Sequence, residues 1–246
     1  MSKYRLDELL VKKGLVTSRE KAKDLILSGR VYIGTIVADK PGKKYSESTE
    51  ILVKENPYKY VSRGALKLKE VLKKYHPEPL FKKIAMDIGA STGGFTQILL
   101  ERGAEKVYAI DVGYGQLDWK LRNDYRVINI EKYNARYLKR NEILNENEKV
   151  YLITMDVSFI SVKKILPVIK REIPECEWLF VLIKPQFEAE RKYVKKGVVR
   201  DENVIKRIIE NIREFCEKLE YEIKGCEPSP IKGPKGNQEY IMVLKK

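Results

Sequence analysis

From residue 84 onward one pattern repeats. Short apolar runs at Ile84–Ile88, Lys106–Ile110, Arg126–Asn129, Val150–Thr154 and Trp178–Ile183 are separated by spacers of helix length. Runs this short suit buried strands, and strands alternating with helices have few solutions. The pattern predicts an α/β domain with a mostly parallel sheet and helices on both faces. Two last runs, Tyr221–Lys224 and Tyr240–Leu244, flank a connection rich in Pro and Gly from Pro228 to Gly236, and predict a closing antiparallel hairpin. In such folds ligands sit beyond the carboxyl ends of the strands.

The first of these strand ends carries a glycine-rich turn: Asp87, then Gly89, Ala90, Ser91, Thr92, Gly93, Gly94 and Phe95, leading into a helix around Thr96–Glu101. Glycines let the backbone approach a ligand, and a helix N-terminus supplies free N–H groups. Asp111 ends the next strand and is followed by Val112. An acidic side chain there can bond both ribose hydroxyls of an adenosine. A dinucleotide fingerprint wants Gly at the position held by Ser91, and no Gly-Lys-Ser/Thr follows to make a P-loop. With Asp87 ahead of the turn, S-adenosylmethionine fits better than NAD. A tight, ligand-free connection is the bland alternative.

Four charged residues stand beside strand ends or helix starts: Lys67, Asp156, Lys184 and Glu239. On a helix over Ser62–Tyr75, Lys67 shares a polar stripe with Arg63, Glu70 and Lys74, which is the pattern of a solvated face. Asp156 follows an apolar strand at the ligand-facing end. Lys184 follows the longest apolar run and precedes Pro185, so its amine is expected to emerge from a buried strand into a cleft. Desolvation there favours the neutral amine, a candidate base. Glu239 reads as an edge-strand carboxylate. The single histidine, His76, precedes Pro77 and reads as an idle, solvated loop residue. With one His, the Ser-His-Asp and Cys-His mechanisms and most zinc sites lack parts, so no metal is expected and any base is a carboxylate, a lysine or a tyrosine.

Ahead of residue 55 lies a small α+β module. It has a helix over Arg5–Val11 ending near Gly14, a second over Ser18–Ser28 opened by a Thr17/Glu20 capping box and closed by Gly29, then β-prone runs at 31–33, 35–37 and 50–53. Arg5, Arg19, Lys23 and Arg30 crowd the helical pair. The segment Ser18-Arg19-Glu20-Lys21-Ala22 with Ser28-Gly29-Arg30-Val31-Tyr32 resembles the S-four-type RNA-binding domain, which implies a fold that presents basic side chains to structured RNA. Residues 56–60 read as a linker and 61–246 as the second domain.

The net charge of +14 over 246 residues attracts a polyanion, most simply nucleic acid. A basic loop, Arg191 to Gly197 with Lys192, Lys195 and Lys196, follows the Lys184 motif and reads as a flexible RNA clamp or a solvated charge run. Three cysteines without C-x-x-C spacing predict thiols in a reducing compartment. No apolar leader or spanning run is read, so a cytoplasmic location is expected, with no membrane partner.

Jointly the motifs carry a resemblance. Ser62-Arg63-Gly64-Ala65-Leu66-Lys67, Asp87 through Thr96, Asp111 through Leu117, Asp156-Val157-Ser158-Phe159-Ile160-Ser161 and Ile183-Lys184-Pro185-Gln186-Phe187-Glu188 look like those of FtsJ-type ribose methyltransferases. With the N-terminal module, the whole chain resembles the TlyA (haemolysin A) family. The resemblance implies a Rossmann-like class I methyltransferase sheet and S-adenosyl-L-methionine as cofactor. It also implies 2′-O-methylation of cytidines in ribosomal RNA or ribosomal subunits, with Lys67, Asp156, Lys184 and Glu239 as the catalytic tetrad. It assigns Asp87, the turn 89–95, Asp111, Val112 and Asp156 to the cofactor. Arg63 and the basic residues above are left to face RNA. A non-catalytic ribosome-assembly factor and a membrane-active haemolysin are the rival readings.

Overall fold

Leu6, Leu10, Ala22, Ile26, Val31 and Ala38 close a small core at the N-terminal end of the chain. The computed structural model describes residues 3–16, 18–27, 29–53 and 60–246. Its contacts divide the chain into two units, Met1–Ser62 and Arg63–Lys246. Thr17 of the expected capping box, Ser28 at the expected helix end and most of the expected linker lie outside the described residues.

In the first unit β1 (Lys3–Arg5) leads into α1 (Leu6–Lys12), followed by α2 (Arg19–Leu27), β2 (Val31–Ile33), β3 (Ile36–Val37), β4 (Lys44–Ser46) and β5 (Ile51–Val53). Ser18 Oγ accepts the Lys21 N–H at 3.2 Å and caps α2. β2 lies between β3 and β5, all antiparallel, while β1 pairs with β4 in a separate ribbon. That ribbon is absent from the local sequence pattern, because Lys3–Arg5 carries no apolar alternation.

The second unit runs α3 (Ala65–Tyr75), β6 (Ile84–Ile88), α4 (Gly94–Glu101), β7 (Lys106–Ile110), α5 (Trp119–Arg122), β8 (Val127–Ile130), α6 (Arg140–Ile143), β9 (Val150–Met155), α7 (Leu166–Glu172), β10 (Trp178–Ile183), α8 (Pro185–Glu188), α9 (Glu202–Lys218), β11 (Glu222–Pro228) and β12 (Tyr240–Lys245). Its seven strands take the order β11-β12-β10-β9-β6-β7-β8. The pairs from β10 through β8 are parallel, and β12 is antiparallel to both β10 and β11. The sheet is therefore mostly parallel with a closing antiparallel hairpin, as the alternation of runs predicts. β12 is an interior strand, however, so Glu239 at its start is no edge residue: it is 0% exposed.

Alternation through β6 shows how the two faces are covered. Met86 and Ile88 join a core with Leu166 and Ile169 of α7 and Ile208 and Ile212 of α9. Asp87 points to the other face, where Thr96 of α4 meets it. His76, expected to be solvated, is buried instead. Its ring nitrogens lie 3.0 Å from the Glu78 carbonyl and 3.0 Å from the Tyr151 hydroxyl, and the ring packs edge-on against Trp178. Proline at 77 marks the loop, but strand β9, remote in sequence, supplies the cover.

Candidate active site

The carboxyl ends of β6, β9 and β10 and the start of β12 converge on one spot. Parallel register sets Val181 of β10 beside Met155 of β9, and antiparallel register sets Ile183 beside Tyr240 of β12. Asp156, Lys184 and Glu239, each adjoining one of these strands, thus come to the same edge of the sheet. Lys67 reaches them from the first turns of α3.

The Lys67 ammonium lies 2.7 Å from Glu239 Oε2 and 3.6 Å from Asp156 Oδ2. The Lys184 ammonium lies 2.5 Å from Asp156 Oδ1 and donates to Ser158 Oγ at 2.8 Å. Both lysines are only 8% exposed. Asp156 therefore stands between two ammonium groups, with Glu239 behind one and Ser158 beside the other. The polar stripe on α3 favoured a solvated Lys67. Packing of that helix near β12 buries it, which no spacing within the helix could reveal. Ser158, quoted in sequence only as part of the motif after Asp156, joins the cluster through its hydroxyl.

Glycine is required at two points around this cluster. Gly89 has φ +82°, and a Cβ there would overlap the carbonyl oxygen of Asp156, so the turn after β6 and the turn after β9 touch through backbone. The lack of a side chain at Gly89 thus lets the Asp156 backbone come this close. A Cβ at Gly233 would overlap the Glu239 carboxylate. Glu188 ties a third segment in: it accepts the Ser161 hydroxyl at 2.6 Å and the Val162 N–H at 2.8 Å. Burial pushes its carboxyl up, and these hydrogen bonds oppose the rise.

The expected cofactor residues fall into two groups. Asp111 faces the glycine turn. Its Oδ2 accepts the Ser91 N–H at 2.8 Å and its Oδ1 the Gly113 N–H at 2.7 Å. A carboxylate has about four acceptor sites, so capacity remains for two ribose hydroxyls. Val112 beside it is 66% exposed. Ala90 and Ser91 through Gly94 form the turn and the start of α4, whereas Phe95 is buried in the packing beneath. Asp87 is also beneath the turn, at 0% exposure, with its oxygens accepting the hydroxyls of Thr96 at 2.7 Å and Thr154 at 2.9 Å. Burial pushes its carboxyl up to about 7, against the hydroxyl bonds that favour the charged form. Asp87 thus supports the turn from below, with its carboxylate enclosed. A turn with left-handed glycines, a half-engaged acidic residue and an exposed apolar neighbour fits an adenosine with a sulfonium side chain.

Among the expected RNA-facing residues, Arg5 and Arg19 meet a buried carboxylate while their side chains stay 40% and 50% exposed. Arg5 Nε lies 3.0 Å and Arg19 Nη2 3.2 Å from the wholly buried Asp7 carboxylate. Burial would raise that carboxyl, yet hydrogen bonds from the two guanidinium groups hold it below the ordinary range. The pair fastens α1 to α2. Lys23, Arg63, Lys195 and Lys196 are exposed, and Lys192 pairs with Glu190 at 2.8 Å. Arg30 is half-buried. Within the basic loop Lys195 and Val198 exchange both backbone hydrogen bonds. An aromatic pair was also passed over. Phe159 has φ +62° and is 90% exposed, with its ring 4.8 Å from that of Phe187. Lys184 Nζ lies 5.9 Å from the Phe187 ring.

The family profile for FtsJ-like methyltransferases matches residues 60–246, and that for the S4 domain matches residues 5–51. This chain belongs to the FtsJ-like methyltransferase family. A Bacillus subtilis protein provisionally named an rRNA methyltransferase is 45% identical over 98% of this chain and 85% of its own. The Mycobacterium tuberculosis protein named 16S/23S rRNA (cytidine-2′-O)-methyltransferase TlyA is 40% identical over 98% of this chain and 89% of its own. A solved relative from Streptococcus thermophilus superposes with a TM-score of 0.74 at 40% identity, covering 100% of this chain and 89% of that one. Among the described residues no helix is long and apolar enough to cross a membrane, and no His/Cys/Asp/Glu group could hold a metal ion.

Proposed function

We propose that this family member transfers the methyl group of S-adenosylmethionine to the 2′-hydroxyl of cytidines in ribosomal RNA, acting in the cytoplasm. The observation that carries the reading is the buried Lys184–Asp156–Lys67–Glu239 cluster, set at the strand ends beside the glycine turn. A cofactor bound along that turn supplies an electrophilic methyl on a positively charged sulfur. Asp111 holds the ribose end through its remaining acceptor sites, and the carboxylate of Asp156 lies near the place where the positive sulfur would rest.

The chain's own residues then have three tasks. Lys184 meets the incoming 2′-hydroxyl and takes or shares its proton as the oxygen attacks. With its two N–H groups given to Asp156 and Ser158, the neutral Lys184 amine has its lone pair left to accept that proton. Lys67, held by Glu239, fixes Asp156 from the other side. Because displacement is direct, alignment of oxygen, carbon and sulfur supplies much of the acceleration. The exposed Phe159 ring, tilted against half-buried Phe187, offers an apolar surface on which the target base can stack once unpaired from its neighbours.

The test is transfer of a labelled methyl from S-adenosylmethionine to purified ribosomal subunits and naked ribosomal RNA, with Lys184→Ala alongside. Label on ribose, scored as alkali resistance of an internucleotide bond and lost in the variant, is the expected result. Tight RNA binding without transfer would replace this reading with that of an assembly factor.

A further inference from the structure

Two turns beside the cluster share an unusual construction. Lys196 and Gly197 have φ +51° and +81°, and Lys235 and Gly236 have φ +59° and +84°. Lysine has no intrinsic preference for the left-handed region, so each turn must be held from outside. Asn237 does this. It is 2% exposed; its Oδ1 accepts the Val199 N–H at 3.2 Å and its Nδ2 donates to the Gly197 carbonyl at 2.8 Å. Its own carbonyl accepts the Gly233 N–H at 2.9 Å, which closes the second turn. The Lys235 ammonium is drawn over the first turn, 3.0 Å from where a Cβ at Gly197 would stand.

The result is a rim of exposed ammonium groups on two stapled turns. Among the described residues neither Lys195, Lys196 nor Lys235 enters an ion pair, unlike Lys192. An anion arriving there need displace no carboxylate. The second turn also touches the catalytic cluster, since Gly233 packs directly on the Glu239 carboxylate.

We propose that the turns at Lys196–Gly197 and Lys235–Gly236, locked together by Asn237, form a preorganised clamp for backbone phosphates of the RNA strand that carries the target ribose. The inference rests on the RNA-modifying reading above. Lys196 and Lys235 each take a phosphate; Asn237 is a positioning residue that touches no RNA. Preorganisation matters because a lysine must otherwise surrender several rotors and a turn its backbone freedom on binding.

Salt dependence is the readout that a merely structural role would leave alone. Each phosphate contact contributes about 0.7–0.9 to the slope of log affinity against log salt. Binding of full-length protein to ribosomal RNA is measured from low to moderate salt for wild type, Lys196→Ala with Lys235→Ala, Asn237→Ala, and all three substitutions combined. The double lysine variant is expected to flatten the slope by about 1.5 and weaken binding about tenfold at physiological salt, with S-adenosylmethionine affinity unchanged. Asn237→Ala should flatten it similarly, and adding it to the lysine variant should change nothing further.

An unaltered slope in the double lysine variant overturns the clamp, as does full additivity with Asn237→Ala. Should Asn237→Ala not fold, the two surface lysines alone decide the matter. Failure of wild type to methylate any RNA would instead overturn the functional reading, so the two failures are separable.

Discussion

Lys67 and Glu239, drawn from opposite ends of the second unit, meet at 2.7 Å with the carboxylate wholly enclosed. Removing Glu239 leaves the buried Lys67 ammonium only the Asp156 carboxylate, 3.6 Å away and shared with Lys184, so the loss approaches that of a broken buried pair, about 3–5 kcal/mol. Glu239→Ala is therefore expected to lower unfolding free energy by about that amount, and Glu239→Gln by clearly less, since the amide still accepts from the ammonium. Both should lose methyl transfer. Denaturant titration beside activity checks the split, and equal stability losses would show that charge is not the cause.

Asp156→Asn should lower the rate of transfer by at least about 100-fold. The two ammonium groups that it separates lose their shared counter-charge. Binding of S-adenosylhomocysteine, which lacks the sulfonium charge, should fall far less than binding of S-adenosylmethionine. Calorimetry with the two ligands makes that comparison, and equal losses would remove Asp156 from the sulfur's surroundings.

Gly89→Ala places a methyl against the Asp156 carbonyl and strains a left-handed residue. A destabilisation of about 1–3 kcal/mol is expected. Activity should fall further than stability alone accounts for, because Asp156 must move. Activity measured well below the variant's melting temperature separates the two effects.

The raised Asp87 carboxyl predicts a pH signature. Its folded pKa, about 7, lies above the unfolded value, so the stability linked to its proton is full below about pH 4 and is lost as pH rises towards 7. Asp87→Asn lacks that titration. Its stability relative to wild type should therefore improve between pH 4 and 7 and level off above, as read by urea unfolding at each pH.

Phe159→Ala should leave the melting temperature unchanged, since the ring is 90% exposed, while weakening productive RNA use. Loss of one stacking contact is worth about 1–3 kcal/mol, or roughly 5- to 150-fold in kcat/KM for RNA. An unchanged kcat/KM would exclude the ring from substrate recognition.

Much of this was legible from the chain itself, for identifiable reasons. The central parallel strands β9 and β10 announced themselves because they are buried on both faces and so read as largely apolar runs. Asp156 and Lys184 stood out because both adjoin such strands. Lys67 and Glu239 looked ordinary, since their burial depends on β12 entering the sheet between β10 and β11, a pairing between segments far apart. The contact of Arg5 and Arg19 with Asp7 was hidden likewise, because a basic residue looks the same in sequence whether or not it also meets a buried carboxylate. The contacts of Asp87 with Thr96 and Thr154 were not legible, because sequence gives its position on the strand and not what its side chain meets.

The interior place of β12 bears on how the molecule is made. Until that segment leaves the ribosome, β10, with its sequence Trp-Leu-Phe-Val-Leu-Ile, has one side unpaired. An apolar strand with free backbone groups is open to pairing with other chains. The segment that caps this hazard is also the one that brings in Glu239. A nascent chain thus becomes safe from aggregation and competent for chemistry in the same folding step.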